Sequence, residues 1–113
     1  MAGGYDPNSV TVPEIEPRDA AKTHAEGGAV FVDVREPDEW AEGHIPEALH
    51  IPLADLPQRA SGLPSDKDLI LVCRSGGRSH VATEFLVRSG FPRVTNMVGG
   101  MLAWEDARYP VAR

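Results

Sequence analysis

The apolar positions of this chain fall into short runs separated by glycine, proline and charge. Residues 29–34, Ala-Val-Phe-Val-Asp-Val, are rich in β-branched side chains and too short for a buried helix, so they predict a strand. Residues 68–72 predict the clearest strand and 93–97 a further one. A shorter strand is expected at 48–52, stopped by Pro52, and Val10, Val12 and Ile15 predict a short strand or extended segment. Helical spacing lies between these runs. Residues 79–89 predict the clearest helix, with Val81, Phe85 and Arg88 on one side, Ala82 and Leu86 widening the apolar face, and Gly90 ending it. Pro17 and Gly27-Gly28 bracket a short helix over 19–25. Residues 35–40 predict a turn entering a helical turn that Gly43 ends. Residues 53–59 predict a short helix in which Pro57 is tolerated only if it starts a second turn. Residues 61–66 read as loop, 101–107 as a helical segment after the Gly99-Gly100 turn, and 109–113 as a tail.

Strands alternating with short helices predict an α/β fold, a mostly parallel sheet covered on both faces. A chain of 113 residues fits one domain, expected over residues 10–113 behind a flexible leader at 1–9. The formal net charge of -6 leaves no basic stripe for phosphates, so nucleic acid is not an expected partner. Apolar runs are strand-sized and the N-terminus carries no secretory pattern, so no membrane association is expected. The single cysteine excludes an internal disulfide and multi-cysteine metal sites. It is compatible with a reducing compartment, and a cytoplasmic location is expected.

That cysteine, Cys73, ends the strand at 68–72 and opens the segment Cys73-Arg74-Ser75-Gly76-Gly77-Arg78-Ser79, which leads into the clearest helix. In parallel sheets, reactive groups gather beyond the carboxyl ends of strands. Gly76 and Gly77 allow the chain to curl with positive φ, turning a ring of N–H groups inward. Ser75 and Ser79 are placed to cap the helix or donate into the ring. Such a ring at a helix N-terminus favours a thiolate, and Arg78, with Arg74 second, supplies charge-assisted donors for an oxyanion. Two other readings stay open: an inert buried cysteine, and a phosphate-binding loop. Neither a Walker motif nor GxGxxG is present, and no cofactor is expected.

The remaining candidates have plainer readings. His44 is expected to be structural, bonded to neighbouring backbone or to a carboxylate such as Asp33. His50 is a weak site candidate at a strand end, His24 is expected on a solvated helix surface, and His80 lies in the first turn after the cysteine loop. The histidines lack a shared short spacing, so no metal site is expected. Asp33, Glu36, Asp38 and Glu39 read as a cap or surface charge cluster. Trp40 and Trp104 are expected to pack helices on the sheet, with Trp104 also a candidate for the pocket rim.

Three segments together resemble the single-domain rhodanese (thiosulfate sulfurtransferase) homology family. They are Val32-Asp33-Val34-Arg35-Glu36 with Glu39-Trp40-Ala41-Glu42-Gly43-His44-Ile45-Pro46, then Cys73 to Ser79, then Val98-Gly99-Gly100-Met101-Leu102-Ala103-Trp104. The resemblance implies a three-layer sandwich around a central, mostly parallel five-stranded sheet. It implies that Cys73 is the catalytic nucleophile and carries a sulfane sulfur as a persulfide. Arg74, Ser75, Gly76, Gly77 and Arg78 would form the active-site loop, with Asp33 and Arg35 bracing it. The implied donors are thiosulfate or a protein persulfide, and the implied acceptors are cyanide, a small thiol or a protein thiol. Related phosphatases place five residues between cysteine and arginine, whereas four lie between Cys73 and Arg78, a tighter ring suited to sulfur. Two rivals stay open: a non-catalytic binding or regulatory module, and a phosphatase or arsenate reductase. Glu47 departs from the glycine common at its position, and Met97 from the usual leucine.

Overall fold

The computed structural model describes residues 10–113; the leader expected at 1–9 lies outside the described residues. Five strands form one sheet: β1 (Glu14–Ile15), β2 (Ala29–Asp33), β3 (Leu49–His50), β4 (Asp68–Val72) and β5 (Val94–Met97). Their order is β1-β5-β4-β2-β3, and every neighbouring pair is parallel. The longest register joins β2 to β4, from Ala29 opposite Asp68 to Asp33 opposite Val72. β4 is therefore the central strand, and its carboxyl end delivers Cys73.

Side-chain alternation along β4 builds both cores. Leu69, Leu71 and Cys73 face a cluster with Val32, Val34, Leu56, Ala60, Leu63, Ala82 and Leu86, under α3 (Leu56–Arg59) and α4 (Gly77–Arg88). Ile70 and Val72 face the opposite cluster with Ala20, Phe31, Ile45, Met97, Met101 and Trp104, under α1 (Pro17–Glu26) and α5 (Gly100–Asp106). A strand buried on both faces reads as a continuous apolar run, which is why 68–72 was so legible. The short α2 (Pro37–Ala41) closes the link between β2 and β3. Among the described residues no helix is long and apolar enough to cross a membrane.

Several expected elements shift. β1 and β3 have only two residues each, because Pro13 and Pro52 cannot donate into a ladder. The helix expected at 53–59 is a 3-10 turn (Leu53–Asp55) followed by α3, with Pro57 in the first turn of the second segment. α4 turns a different face to the core than expected. Ser79, Ala82, Thr83 and Leu86 are buried, whereas Val81 is 54 % exposed. The polar residues Ser79 and Thr83 hold the inward positions because both find hydrogen-bond partners there. The tail is tied down by reciprocal bonds between His44 and Ala112, at 2.9 and 2.8 Å. Glu47 has φ 69°, a left-handed conformation that explains why glycine is usual there.

Trp104 is no rim residue. It is fully buried between Phe31, His24 and Tyr109, and its Nε1 donates to Pro110 O at 2.7 Å. His24, expected to be solvated, is half-buried and donates from Nε2 to Pro46 O at 2.9 Å. Replacing Trp104 by Ala leaves a large cavity and orphans Pro110 O. Chemical denaturation of Trp104→Ala is expected to show a loss of about 3–5 kcal/mol.

Candidate active site

Cys73 leaves the carboxyl end of the central strand buried, its residue only 1 % exposed. Burial alone raises a thiol's pKa, and it is the largest single influence here. It is outweighed by donors: the Ser79 hydroxyl first, then the backbone amides of Ser79, Gly76 and Ser75, so the pKa is lowered overall. Gly76 N–H lies 3.1 Å from Sγ and Ser79 Oγ 3.3 Å from it. The thiolate is favoured by hydrogen bonds, and among the described residues no histidine is bonded to the sulfur.

The loop holds this shape for reasons that are partly local. Gly76 has φ 106° and is the N-terminal cap residue of α4; a Cβ there would meet Gly99 N at 3.3 Å. Gly77 needs no such freedom: it is the first helical residue and a Cβ would meet nothing within 4 Å. The requirement for two positive-φ glycines therefore reduces to one. Neither serine caps α4. Ser79 faces the sulfur from inside the helix, and the Ser75 contribution is its backbone amide.

The larger constraint comes from a distant segment. Met101 N–H donates to Cys73 O at 2.8 Å, and Leu102 N–H to Arg74 O at 3.0 Å. Two otherwise unpartnered amides at the start of α5 thus take the carbonyls of the cysteine loop. In a trans peptide the N–H points opposite to its carbonyl, so drawing Arg74 O outward turns Ser75 N–H inward, toward sulfur. Gly100 makes the approach possible: it has φ 54°, and a Cβ would lie 2.4 Å from Cys73 O and 2.5 Å from Arg74 O. The Gly99-Gly100 segment, read from sequence only as a turn, is the back wall of the site.

Two side chains missed in the sequence complete the arrangement. Asn96, 2 % exposed on β5, accepts from Ser79 Oγ at 2.5 Å and donates from Nδ2 to Gly76 O at 3.2 Å. Its signal was a polar residue inside a strand of a sheet covered on both faces, opposite Leu71 and so near the strand end that carries Cys73. Glu39 grips Arg78 in a fork, Nη1 to Oε1 at 2.7 Å and Nη2 to Oε2 at 2.8 Å. Oε1 also accepts Glu36 N–H at 3.0 Å, one half of a capping box on α2. The signal in the chain was Glu36 followed three residues later by Glu39; nothing local pointed to Arg78.

Arg78, expected to be open for an oxyanion, is therefore already engaged, while Arg74 is exposed. Asp33 and Arg35 make their side-chain hydrogen bonds to each other and to Gly43, not to the cysteine loop directly. They form a buried fork, Arg35 Nη2 to Asp33 Oδ2 at 2.8 Å, and Arg35 Nη2 also donates to Gly43 O at 2.7 Å. The pair fastens the β2-to-β3 connection. With that carboxylate occupied, His44 donates from Nδ1 to Trp40 O at 3.0 Å and stacks on the Trp40 ring, 3.6 Å between centroids. His50 donates from Nε2 to Arg35 O at 2.8 Å and also stacks on the Trp40 ring, 4.7 Å between centroids. His80 is exposed and borders a 290 Å³ recess with Ser75, Gly76, Gly77 and Asn96. A second recess, 310 Å³, runs between Arg74, Arg35, Met101 and Leu102. A further cavity, 420 Å³, lies at the amino ends of β4 and β5, away from the sulfur. Among the described residues no group of three or more His, Cys, Asp or Glu could hold a metal ion.

The model of the rhodanese-like domain matches residues 16–107, which contain every group above. The chain belongs to the rhodanese-like family. A protein named sulfurtransferase from Allochromatium vinosum is 43 % identical over 82 residues, 73 % of this chain and 77 % of that protein. The putative sulfurtransferase YtwF of Bacillus subtilis is 43 % identical over 89 residues, 79 % of this chain and 85 % of its own. The crystal structure of a rhodanese-related protein from Thermoplasma volcanium superposes with a TM-score of 0.83 at 31 % identity, covering 88 % of this chain and 97 % of that one.

Two outcomes test this rhodanese-like site. Gly100→Ala pushes α5 off the loop carbonyls and relaxes the inward amides. The pH profile of iodoacetamide alkylation of Cys73 is expected to move to higher pH, toward an ordinary thiol. The second concerns acid stability. The Arg78 fork, working against burial, lowers the Glu39 pKa from 4.5 to about 2. A depressed carboxylate stabilises the fold above its unfolded pKa and loses that contribution as pH falls through its folded one. Urea midpoints of the wild type and Glu39→Gln should differ at neutral pH and converge between about pH 4.5 and pH 2.

Proposed function

We propose that this protein is a sulfurtransferase that moves a sulfane sulfur from a donor to a thiophilic acceptor through a Cys73 persulfide. The observation that carries the reading is the convergence of Gly76 N–H and Ser79 Oγ on Sγ, at 3.1 and 3.3 Å. Donors fixed in place stabilise a negative sulfur without reorganising as the reaction proceeds. Family membership, and relatives named sulfurtransferase, support the same chemistry.

The cycle is a two-step displacement. The Cys73 thiolate attacks the outer sulfur of the donor. A sulfur–sulfur bond forms at Sγ as the donor's own breaks, and the electron pair leaves on sulfite from thiosulfate, or on a thiolate from a protein persulfide. An acceptor (cyanide, a small thiol or a protein thiol) then attacks the outer sulfur and returns Cys73 as thiolate. The loop amides and Ser79 hold the negative sulfur throughout. The four-residue spacing to Arg78 favours this over phosphoryl transfer, because the ring closes around one sulfur atom. Cytoplasmic thiols are the natural acceptors in this scheme.

Intact mass spectrometry without reductant tests it. Treatment with thiosulfate or a thiol persulfide is expected to add about 32 Da to the wild type and nothing to Cys73→Ser. Addition of an acceptor should remove the gain. No gain with either donor would leave a binding module, and turnover of an aryl phosphate without sulfur loading would instead identify a phosphatase.

A further inference from the structure

We propose that Glu39 sets donor selectivity, turning the site from the thiosulfate dianion toward thiol persulfides by holding Arg78 neutralised beside the loop. The inference rests on the sulfur-transfer reading. Arg78 is the loop's own cation, five residues after Cys73. Both of its terminal nitrogens point into the Glu39 carboxylate, at 2.7 and 2.8 Å. The carboxylate is itself anchored, since Oε1 also takes Glu36 N–H at 3.0 Å. The fork is partly exposed, 37 % for the Arg78 side chain and 21 % for Glu39. The fork stays charged on both sides at neutral pH, with Glu39 held at about 2. Among the described residues Arg74 forms no ion pair, so it is the remaining unpaired cation of the loop.

The two donor classes differ in what this arrangement offers them. Thiosulfate carries two negative charges to a thiolate that already carries one. Displacing sulfite therefore gathers three charges at the loop, and a paired arginine gives them little relief. A persulfide reacts with a thiolate through its protonated form, R–S–SH, the minor form at neutral pH, and that form brings no charge on its reacting end. The thiolate attacks its outer sulfur, the Sγ–S bond forms, the donor S–S bond breaks, and the electron pair leaves on the donor thiolate. Its organic group, not its charge, would have to be recognised. The hydrogen bonds to Glu39 raise the Arg78 pKa most, and negative charge at Cys73 adds to the rise, so Arg78 and the reacting sulfur already feel each other.

The test separates binding from turnover. Thiosulfate affinity is measured by calorimetry on Cys73→Ser, which cannot turn over, with and without Glu39→Gln; glutamine keeps the cap on α2. The substitution is expected to tighten thiosulfate binding about tenfold. In the Cys73-containing protein it should raise thiosulfate kcat/KM about tenfold, through KM, and leave glutathione persulfide within about twofold. Glu39→Gln with Arg78→Gln should return thiosulfate affinity to within about twofold of the parent, because a neutral pair has been replaced by a neutral pair. Unchanged or weakened thiosulfate binding in Glu39→Gln, or equal shifts for both donors, overturns the proposal. So does a tenfold loss in the double variant, about the size expected if Arg78 already binds the donor. The double variant decides the matter if Glu39→Gln alone does not fold. Sulfur loading of the wild type with no such shifts overturns this inference alone. Loading by neither donor overturns the sulfur-transfer reading as well.

Discussion

Two hydrogen bonds hold the site together: those from the first turn of α5 to the carbonyls of Cys73 and Arg74, at 2.8 and 3.0 Å. They fix the direction of the peptide planes that follow the cysteine, and a plane has only two useful orientations. With carbonyls bound outward, amides point at the sulfur. With carbonyls released, the same loop would surround an anion with oxygen. The lowered thiol pKa depends on this choice.

The sheet makes the contact possible. β5 lies beside β4, with Asn96 opposite Leu71, so the segments leaving their carboxyl ends emerge as neighbours. One becomes the cysteine loop and the other the Gly99-Gly100 turn. Gly100, without a Cβ, lets the second backbone close on the first. On the far side, the buried Asp33–Arg35 fork fixes the exit of β2 and hence the path to α2, which carries Glu39. Removing one partner of such a pair is far more damaging than replacing both, because a lone buried charge remains. The first and third sequence segments thus act on the second from opposite sides, one through an ion pair and one through main-chain carbonyls.

Much of this was legible in the chain and some was not, for physical reasons. Residues 68–72 were readable because a strand covered on both faces has no polar alternation to confuse it. The reactive character of Cys73 was readable because small residues and cations cluster in the seven positions that begin with it. The start of α4 was not: Gly76-Gly77 reads as a break, yet Gly76 at φ 106° opens the helix directly from the loop. The inward face of α4 was misjudged because Ser79 and Thr83 pay for their burial with hydrogen bonds that no local pattern displays. The roles of Glu39 and Asn96 depend on partners 39 and 17 residues away. Asp33 and Arg35 were recognisable as a pair, but which loop they hold is a matter of tertiary path alone.

One hydroxyl sits between two acceptors. Ser79 Oγ is 3.3 Å from sulfur and 2.5 Å from Asn96 Oδ1, while Asn96 Nδ2 is committed to Gly76 O. A hydroxyl owns a single hydrogen. With sulfur protonated, the S–H can donate to Oγ and Oγ can satisfy the amide; with sulfur ionised, that hydrogen is needed at the anion and the amide oxygen goes without. A change of charge at residue 73 therefore asks for no more than a rotation about one C–O bond.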